Sequence, residues 1–400
     1  MAIAEEFPDL FRTVYTQPAI DNHAHPLLKA ELRDQVAFEG LISEAEGDAL
    51  MVDAINNVAC MRATKQLAKL FGLQENASWD EVKKHRANMD YMELCKLCFR
   101  DAAIDTILID DGLGGVAEMA EGYKWHDGLT TGRTRRIVRV EIVAEDIIKD
   151  LFGSGGVPSP DLYNILEGKV RQSLEQSALE PDVVGFKSIV CYRTGLDVTT
   201  DAEDKSDKHL ALMQLHKMYQ ENDGRIRLAQ KALNDAVVRI ALEVAGKHKI
   251  PVQFHTGLGD SDITLTRASP SHLQPVIKTY PETKIVLLHS SYPFTREAGY
   301  LTAVYRNVYL DFGEVFPFLS AEGQRAVIRQ VLELSPTNKI MWSSDGHWWP
   351  ESFYLGIYQA RQALYEVLGE MVRKDEITEA QAVGIVARCL YDNAAKLYQL

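Results

Sequence analysis

Residues 19–28 read AIDNHAHPLL, a short apolar start running into two histidines one residue apart. On a strand the side chains alternate, so His23 and His25 share one side while Asn22 and Ala24 share the other. Asp21 and Pro26 flank the pair, and a proline ends a buried strand, so both imidazoles are expected at the strand's C-terminal end. Same-side imidazoles can share a cation. An HxH alone equally fits two polar residues at a turn, so the other strands have to decide.

Seven more apolar runs repeat the pattern: AIDTILIDDG, IVRVEIV, VVGFKSIV, PVQFHTG, KIVLLHSS, NVYLDFGE and KIMWSSDGH. Between them lie stretches of helical periodicity, notably PDLYNILEGKVRQSLEQSA, GRIRLAQKALNDAVVRIALEVAGKHK, SHLQPVIKTY and AEGQRAVIRQVLEL. Apolar strands alternating with helices indicate a parallel sheet buried on both faces, and eight units predict a (β/α)8 TIM barrel. A doubly wound open sheet is disfavoured. No GxGxxG follows the first strand, and polar residues recur at most strand ends instead of at one switch point. The 400 residues are read as a single barrel domain, 1–400, with a helical insertion at 26–102 over the barrel mouth. A smaller charged insertion, TTDAEDKSDKHLALMQLHKMYQENDG, follows the fourth strand, and residues 350–398 are expected to be helical and to close the barrel.

Late strand positions face the catalytic end of such a barrel. They hold His23 and His25 on the first strand, Lys187 on the fourth, His255 on the fifth, His289 on the sixth and Asp345 on the eighth. A strand-end histidine is ordinarily a hydrogen-bonded structural residue. Four of them converging with a carboxylate match the ligand chemistry of Zn²⁺, Mn²⁺ or Fe²⁺.

In the order and context of "HAH", "GFKSI", "FHTG", "LHSS" and "SSDGHW", the chain resembles the amidohydrolase superfamily. More narrowly, "DNHAHPL", "FKSIVCYRTGL" and "SSDGHWWPES" are similar to the amidohydrolase-related half of nodulin/glutamine-synthetase-like fusion proteins. The resemblance implies one metal at His23, His25 and Asp345. It implies a second at His255 and His289, with Lys187 as a bridging carbamate. Carboxylation needs a neutral amine, which burial favours by depressing the lysine pKa. The bland alternative keeps Lys187 protonated and paired with Glu141 on the third strand.

The expected cofactor is therefore a divalent metal, Zn²⁺ first and Mn²⁺ or Fe²⁺ after it, one or two per chain. Arg193, six residues past Lys187, is placed as a fork for a substrate carboxylate, or else in a loop salt bridge. Trp342, Trp348 and Trp349 crowd the last strand, so one pocket wall is expected to be aromatic, with Trp348 on the substrate. Tyr292, His347 and Glu314 are candidates to touch substrate or orient ligands. Asp110 and Asp111 read as turn and cap residues, and Cys95 and Cys98, a CxxC on an amphipathic helix, as buried thiols.

The expected reaction is hydrolysis of an amide-like C–N bond in a small, carboxylate-bearing substrate. Metal-activated water attacks, Asp345 acts as general base and then acid, and His289 polarises the carbonyl. γ-Glutamyl or related amides are suggested only by association with the synthetase fusion. The alternatives are a metal-dependent non-oxidative decarboxylase and a catalytically silent sensor or scaffold. Composition narrows the partners. The net charge of −14 repels phosphate backbones and anionic lipid, so the expected partner is a small molecule, with no nucleic acid, no membrane and a homo-oligomer as an option. Residues 1–15 do not read as a signal peptide and five scattered cysteines do not suggest a disulfide framework, so a cytoplasmic location is expected.

Overall fold

Each apolar run becomes a strand of one sheet: β1 (Ala19–Ala24), β2 (Ile104–Asp110), β3 (Arg135–Arg139), β4 (Val183–Ser188), β5 (Val252–Phe254), β6 (Ile285–Leu287), β7 (Val308–Asp311) and β8 (Ile340–Met341). The computed structural model describes residues 6–114, 116–201 and 205–400, so Ala202, Glu203 and Asp204 of the charged insertion lie outside the described residues. Neighbouring strands pair in parallel in the sequential order β1 to β8. Helices cover the outside: α1 (Pro8–Thr16) leads into β1, and α2 (Val58–Leu70), α3 (Trp79–Ala87) and α4 (Tyr91–Arg100) lie between β1 and β2. They are followed by α5 (Val140–Gly153), α6 (Pro160–Leu179), α7 (Lys205–Glu221), α8 (Lys231–His248), α9 (Gln274–Thr279), α10 (Thr295–Val304) and α11 (Ala321–Leu334). Strands covered by helices on one face and by the barrel interior on the other explain why the runs are continuously apolar instead of alternating. The architecture is a (β/α)8 barrel, nearly closed.

Side chains complete the β8–β1 seam. Asn22 N donates to Trp342 O at 3.3 Å, Asn22 Nδ2 donates to the same carbonyl at 2.8 Å, and Ser344 N donates to Asp21 Oδ1 at 2.8 Å. The barrel interior is filled by Ile20, Leu108, Val184, Val286, Leu288 and Met341, which pack against Leu397 and Tyr398. Those two come from the last of three helices after β8: α12 (Pro350–Arg373), α13 (Glu379–Ala387) and α14 (Asn393–Tyr398).

Two predicted elements end differently from the sequence reading. The run IVRVEIV leaves the sheet at Arg139, and Val140 starts α5, so Glu141 is a first-turn helix residue and not a strand residue. Its Oε1 accepts from Ser188 Oγ at 2.6 Å, so the alternative pairing with Lys187 is not what forms. The long periodic segment from Gly224 is helical only from Lys231. Ahead of it, Leu228 N is held by Glu145 Oε1 at 2.8 Å, an off-helix hydrogen bond that periodicity does not register.

The segment between β1 and β2 carries its own apolar cluster. Phe38, Leu67, Trp79 and Val82 pack there with Trp349, whose ring meets Phe38 edge-on at 5.7 Å. A capping box of Ser78 and Glu81 starts α3, and buried Arg86 from that helix pairs with buried Glu351 at the start of α12. Trp349 is therefore a packing residue at 1% exposure, and Trp342 is buried in the main core; of the three tryptophans only Trp348 reaches the cavity described next. Cys95 and Cys98 are fully buried thiols on α4.

Candidate metal centre at the barrel mouth

The C-terminal strand ends surround a cavity of about 430 Å³. His25, Lys187, His255, His289, Asp345, His347, Trp348 and Arg193 all line it; His23 lies beneath, and Tyr292 instead packs against the main core.

The β1 histidines are aimed by their outer nitrogens. Gln253 Nε2 donates to Asn22 O and to Tyr398 Oη, both at 2.7 Å, which leaves Gln253 Oε1 as an acceptor 2.9 Å from His23 Nδ1. That network assigns the proton of His23 to Nδ1 and the lone pair to Nε2. His25 Nδ1 likewise donates to Asp110 O at 2.9 Å. Both Nε2 atoms then point at one oxygen, Asp345 Oδ1, at 3.4 Å from His23 and 3.5 Å from His25. Burial first, and the neighbouring Lys187 second, hold His23 well below the ordinary imidazole pKa, so it is a neutral donor.

On the other flank of Asp345 stand His289 and Glu314. His289 Nδ1 is 3.3 Å from Glu314 Oε2 and 3.9 Å from Asp345 Oδ2. Neither ring nitrogen of His289 has a hydrogen-bond partner, and neither do Glu314 Oε2 and Asp345 Oδ1, all of them buried atoms. Buried polar atoms are ordinarily paired, and imidazole nitrogens and carboxylate oxygens that lack hydrogen-bond partners are the donor types a divalent cation takes. Two groups have metal-binding spacing: His23, His25 and Asp345, and His289, Glu314 and Asp345. Positive φ angles gather here too, at His289 (65°), Ser290 (54°), Ser291 (49°), Glu314 (61°) and Asp345 (51°). Such conformations cost non-glycine residues roughly 1–3 kcal/mol each and concentrate where side chains must be aimed.

Lys187 and His255, which the resemblance places in the ligand set, line the same cavity, and the His255 ring centroid is 4.3 Å from that of His289. Lys187 Nζ lies 3.1 Å from His23 Nε2, and burial lowers its pKa to about 8. His255 Nε2 meets Leu258 O at 2.7 Å, and His255 joins neither group. Arg193 reaches the cavity with Glu145 3.3 Å away, and its Nε has no hydrogen-bond partner. His347 Nδ1 bonds Asp345 O at 3.0 Å, which steadies the turn carrying Asp345.

Sequence reading overlooked several contributors. Arg139 ends β3 beside Lys187 in register, lines the cavity and pairs with fully buried Asp110 at 2.7 Å. Asp110 does hold a turn, accepting from Gly112 N at 3.0 Å, but burial and Arg139 make it more than a cap. Alternation could have found Gln253, two residues before His255 and on the same side, and Arg139, placed at the end of its strand as Lys187 is. Glu44, which also lines the cavity, comes from the segment after β1 and carries no periodic signal.

The comparisons agree with this architecture. A family profile described as Amidohydrolase matches residues 198–400. Protein fluG of Emericella nidulans is 39% identical over 97% of this chain, and the chain spans 46% of that protein's length. A crystal structure from Lactobacillus casei, provisionally classed as a metal-dependent hydrolase, superposes with a TM-score of 0.80 at 25% identity, covering 98% of this chain and 97% of that one. A uronate isomerase of Bacillus halodurans shares the fold, with a TM-score of 0.71 at 15% identity over 99% of this chain and 97% of its own. Among the described residues no helix is long and apolar enough to cross a membrane. With its barrel, its histidine-carboxylate mouth and a profile match over half its length, the chain belongs to the amidohydrolase family.

Proposed function

We propose that the protein is a metal-dependent hydrolase cleaving an amide-like C–N bond in a small, carboxylate-bearing substrate, with Zn²⁺ as the first choice of metal. The observation that carries this reading is the aim of His23 Nε2 and His25 Nε2 at one oxygen of Asp345, with both outer nitrogens already engaged. Membership in the family and the likeness to the Lactobacillus casei protein support it. A divalent cation held by these three residues would supply a water with its pKa lowered to about 7 and a Lewis acid for a carbonyl.

The chain's own groups do the rest. Asp345 takes the proton of the attacking water and returns it to the leaving nitrogen, acting as base and then acid. His289, across from the β1 histidines, stands on the side where charge builds on the carbonyl oxygen. Arg139, Arg193 and Arg227 line the cavity and make one side of it attractive to a substrate carboxylate, although each already has an acidic partner: Asp110, Glu145 and Asp262. Trp348 supplies apolar wall, and His347 holds the Asp345 turn. A cytoplasmic enzyme with a small-molecule substrate and no nucleic-acid or membrane partner fits the acidic composition.

The test is amine release from a panel of N-acyl and γ-glutamyl amides by Zn²⁺-loaded protein, with CO₂ release from aromatic carboxylates and interconversion of uronates measured alongside. Amine release that disappears in Asp345→Asn is the expected result. CO₂ release in its place would establish the decarboxylase alternative. Uronate interconversion would place the chain with the chemistry named for the Bacillus halodurans neighbour, and metal-loaded protein inert toward all three would favour the scaffold.

A further inference from the structure

We infer that Tyr398 is a positioning residue for the metal at the barrel mouth: acting through Gln253, it keeps the proton of His23 on Nδ1 and the lone pair on Nε2. This rests on the metal reading given above, in which His23 is a ligand, and adds to it a residue that does not line the cavity.

Four buried side chains, of Asn22, Tyr398, Gln253 and His23, form a relay in which each group can act in one sense only. Trp342 O is a backbone carbonyl and can only accept, so the Asn22 atom 2.8 Å from it is Nδ2. Asp311 Oδ2, 2.8 Å from the same nitrogen, agrees. Asn22 Oδ1 is left as an acceptor, and Tyr398 Oη donates to it at 3.2 Å. A hydroxyl carries one proton, so Tyr398 Oη must accept on its other side, where Gln253 Nε2 donates at 2.7 Å. Gln253 Nε2 gives its second hydrogen to Asn22 O, also at 2.7 Å, and Oε1 can only accept from His23 Nδ1 at 2.9 Å. The sense of the relay is therefore set at a backbone carbonyl just after β8. It ends at the His23 lone pair that faces Asp345 Oδ1.

No water reaches these groups. Asn22, Gln253 and His23 are fully buried, and Tyr398 is 3% exposed. Burial raises the pKa of the Tyr398 phenol, so it keeps its proton through the neutral range and the relay keeps its sense. Without that hydroxyl, one Gln253 N–H loses its acceptor and has no water to take its place. The Gln253 amide is then held by Asn22 O alone. His23 gains access to the Nε2–H tautomer, which has no lone pair for a cation, and apparent affinity falls with the competent fraction. The rival role for Tyr398 is packing, since it fills the barrel interior beside Leu397. Packing alone predicts that loss of the hydroxyl lowers stability and leaves the His23 tautomer as it was.

The experiment compares wild type, Tyr398→Phe, Gln253→Leu and the double variant, each as the full chain. Zn²⁺ affinity is measured by competition with a chelator, the His23 tautomer by ring ¹⁵N NMR of histidine-labelled, metal-free protein, and folding by circular dichroism. Zn²⁺ affinity of Tyr398→Phe is expected to fall about threefold, less than the roughly tenfold for Gln253→Leu, because Asn22 O still holds Gln253. The His23 ¹⁵N shifts of the metal-free variant should move toward the Nε2–H form. In the Gln253→Leu background, adding Tyr398→Phe should change affinity no further, as required of a residue that acts only through Gln253. An unmoved tautomer in folded Tyr398→Phe, or the same threefold loss in both backgrounds, overturns the inference and leaves Tyr398 a packing residue. So does an Nε2–H tautomer in metal-free wild type, which needs no variant to fold. Wild type that binds no Zn²⁺ while Tyr398→Phe shifts the tautomer would sink the metal reading and leave the relay to His23 standing; tight Zn²⁺ binding with an unmoved tautomer would do the reverse.

Discussion

The two flanks of Asp345 reach similar spacing by different means. On the β1 flank, hydrogen bonds to the outer ring nitrogens do the aiming: Gln253, itself anchored on Asn22 O and Tyr398, fixes His23, and the Asp110 backbone carbonyl fixes His25. On the β6–β8 flank, backbone conformation does it, through positive φ at His289, Glu314 and Asp345, with the Asp311 side chain bracing that backbone by accepting at Oδ1 from His289 N at 3.1 Å and Gly313 N at 2.9 Å. The β1 flank offers lone pairs whose outer partners are satisfied. The other offers buried atoms with no hydrogen-bond partner, His289 Nδ1 and Nε2 and Glu314 Oε2. Hydrogen-bonded aiming fixes tautomers, whereas backbone strain fixes direction and leaves the charge unmet.

Experiments can break this comparison at several points. Asp345→Asn removes the group common to both flanks and should produce the largest effect, a fall of about 10³-fold or more in kcat/KM, some 4 kcal/mol, measured on whichever substrate the panel identifies. Next comes pH. His126, fully buried, accepts from Leu27 N at 3.0 Å just after the HAHP turn, and burial lowers its pKa from 6.5 to about 4. Its folded-state pKa lies below the unfolded one, so its contribution is complete above pH 6.5 and is lost as pH falls toward 4. Denaturant titrations should show up to ~3 kcal/mol of this loss, missing from a His126→Gln variant. If the acid sensitivity persists in that variant, the β1 flank is not where it originates.

Two smaller effects separate the flanks. Asp311→Ala strips the carboxylate from His289 N and Gly313 N and should lower stability by roughly 2 kcal/mol in thermal or chemical unfolding, with the first metal retained. Gln253→Leu frees the His23 ring and should weaken the first metal roughly tenfold in competition with a chelator. An unchanged affinity there would mean that strand geometry alone aims His23 and that the contrast between flanks is false.

Much of this site was legible along the chain. Strand ends are readable because an apolar run that stops at a polar residue marks both the barrel face and the residue on it, which is how His23, His25, His289 and Asp345 were brought together. Glu314 reads in the sequence as a candidate to touch substrate or orient ligands and not as a ligand itself, because a lone acid after a strand resembles any turn. His255 carries the same strand-end signal as His289 and lines the same cavity, its ring centroid 4.3 Å from that of His289, but that its Nε2 is taken by Leu258 O could not be read from the pattern. Trp349 stood beside Trp348 in the sequence, but alternate neighbours at a turn face different surroundings, and Trp349 went to the core beneath α3.

Sequence by itself determined the barrel, the face on which the chemistry sits and the residue types available there, because periodicity and strand-end polarity are properties of a linear pattern. Tertiary structure alone decided which nitrogen of each histidine points inward, that each oxygen of Asp345 serves a different flank, and that Glu314 and Arg139 join the site while Trp349 leaves it. Those outcomes depend on hydrogen bonds between residues hundreds of positions apart, such as His23 with Gln253, and on backbone conformations fixed by packing. Neither leaves a trace in local order.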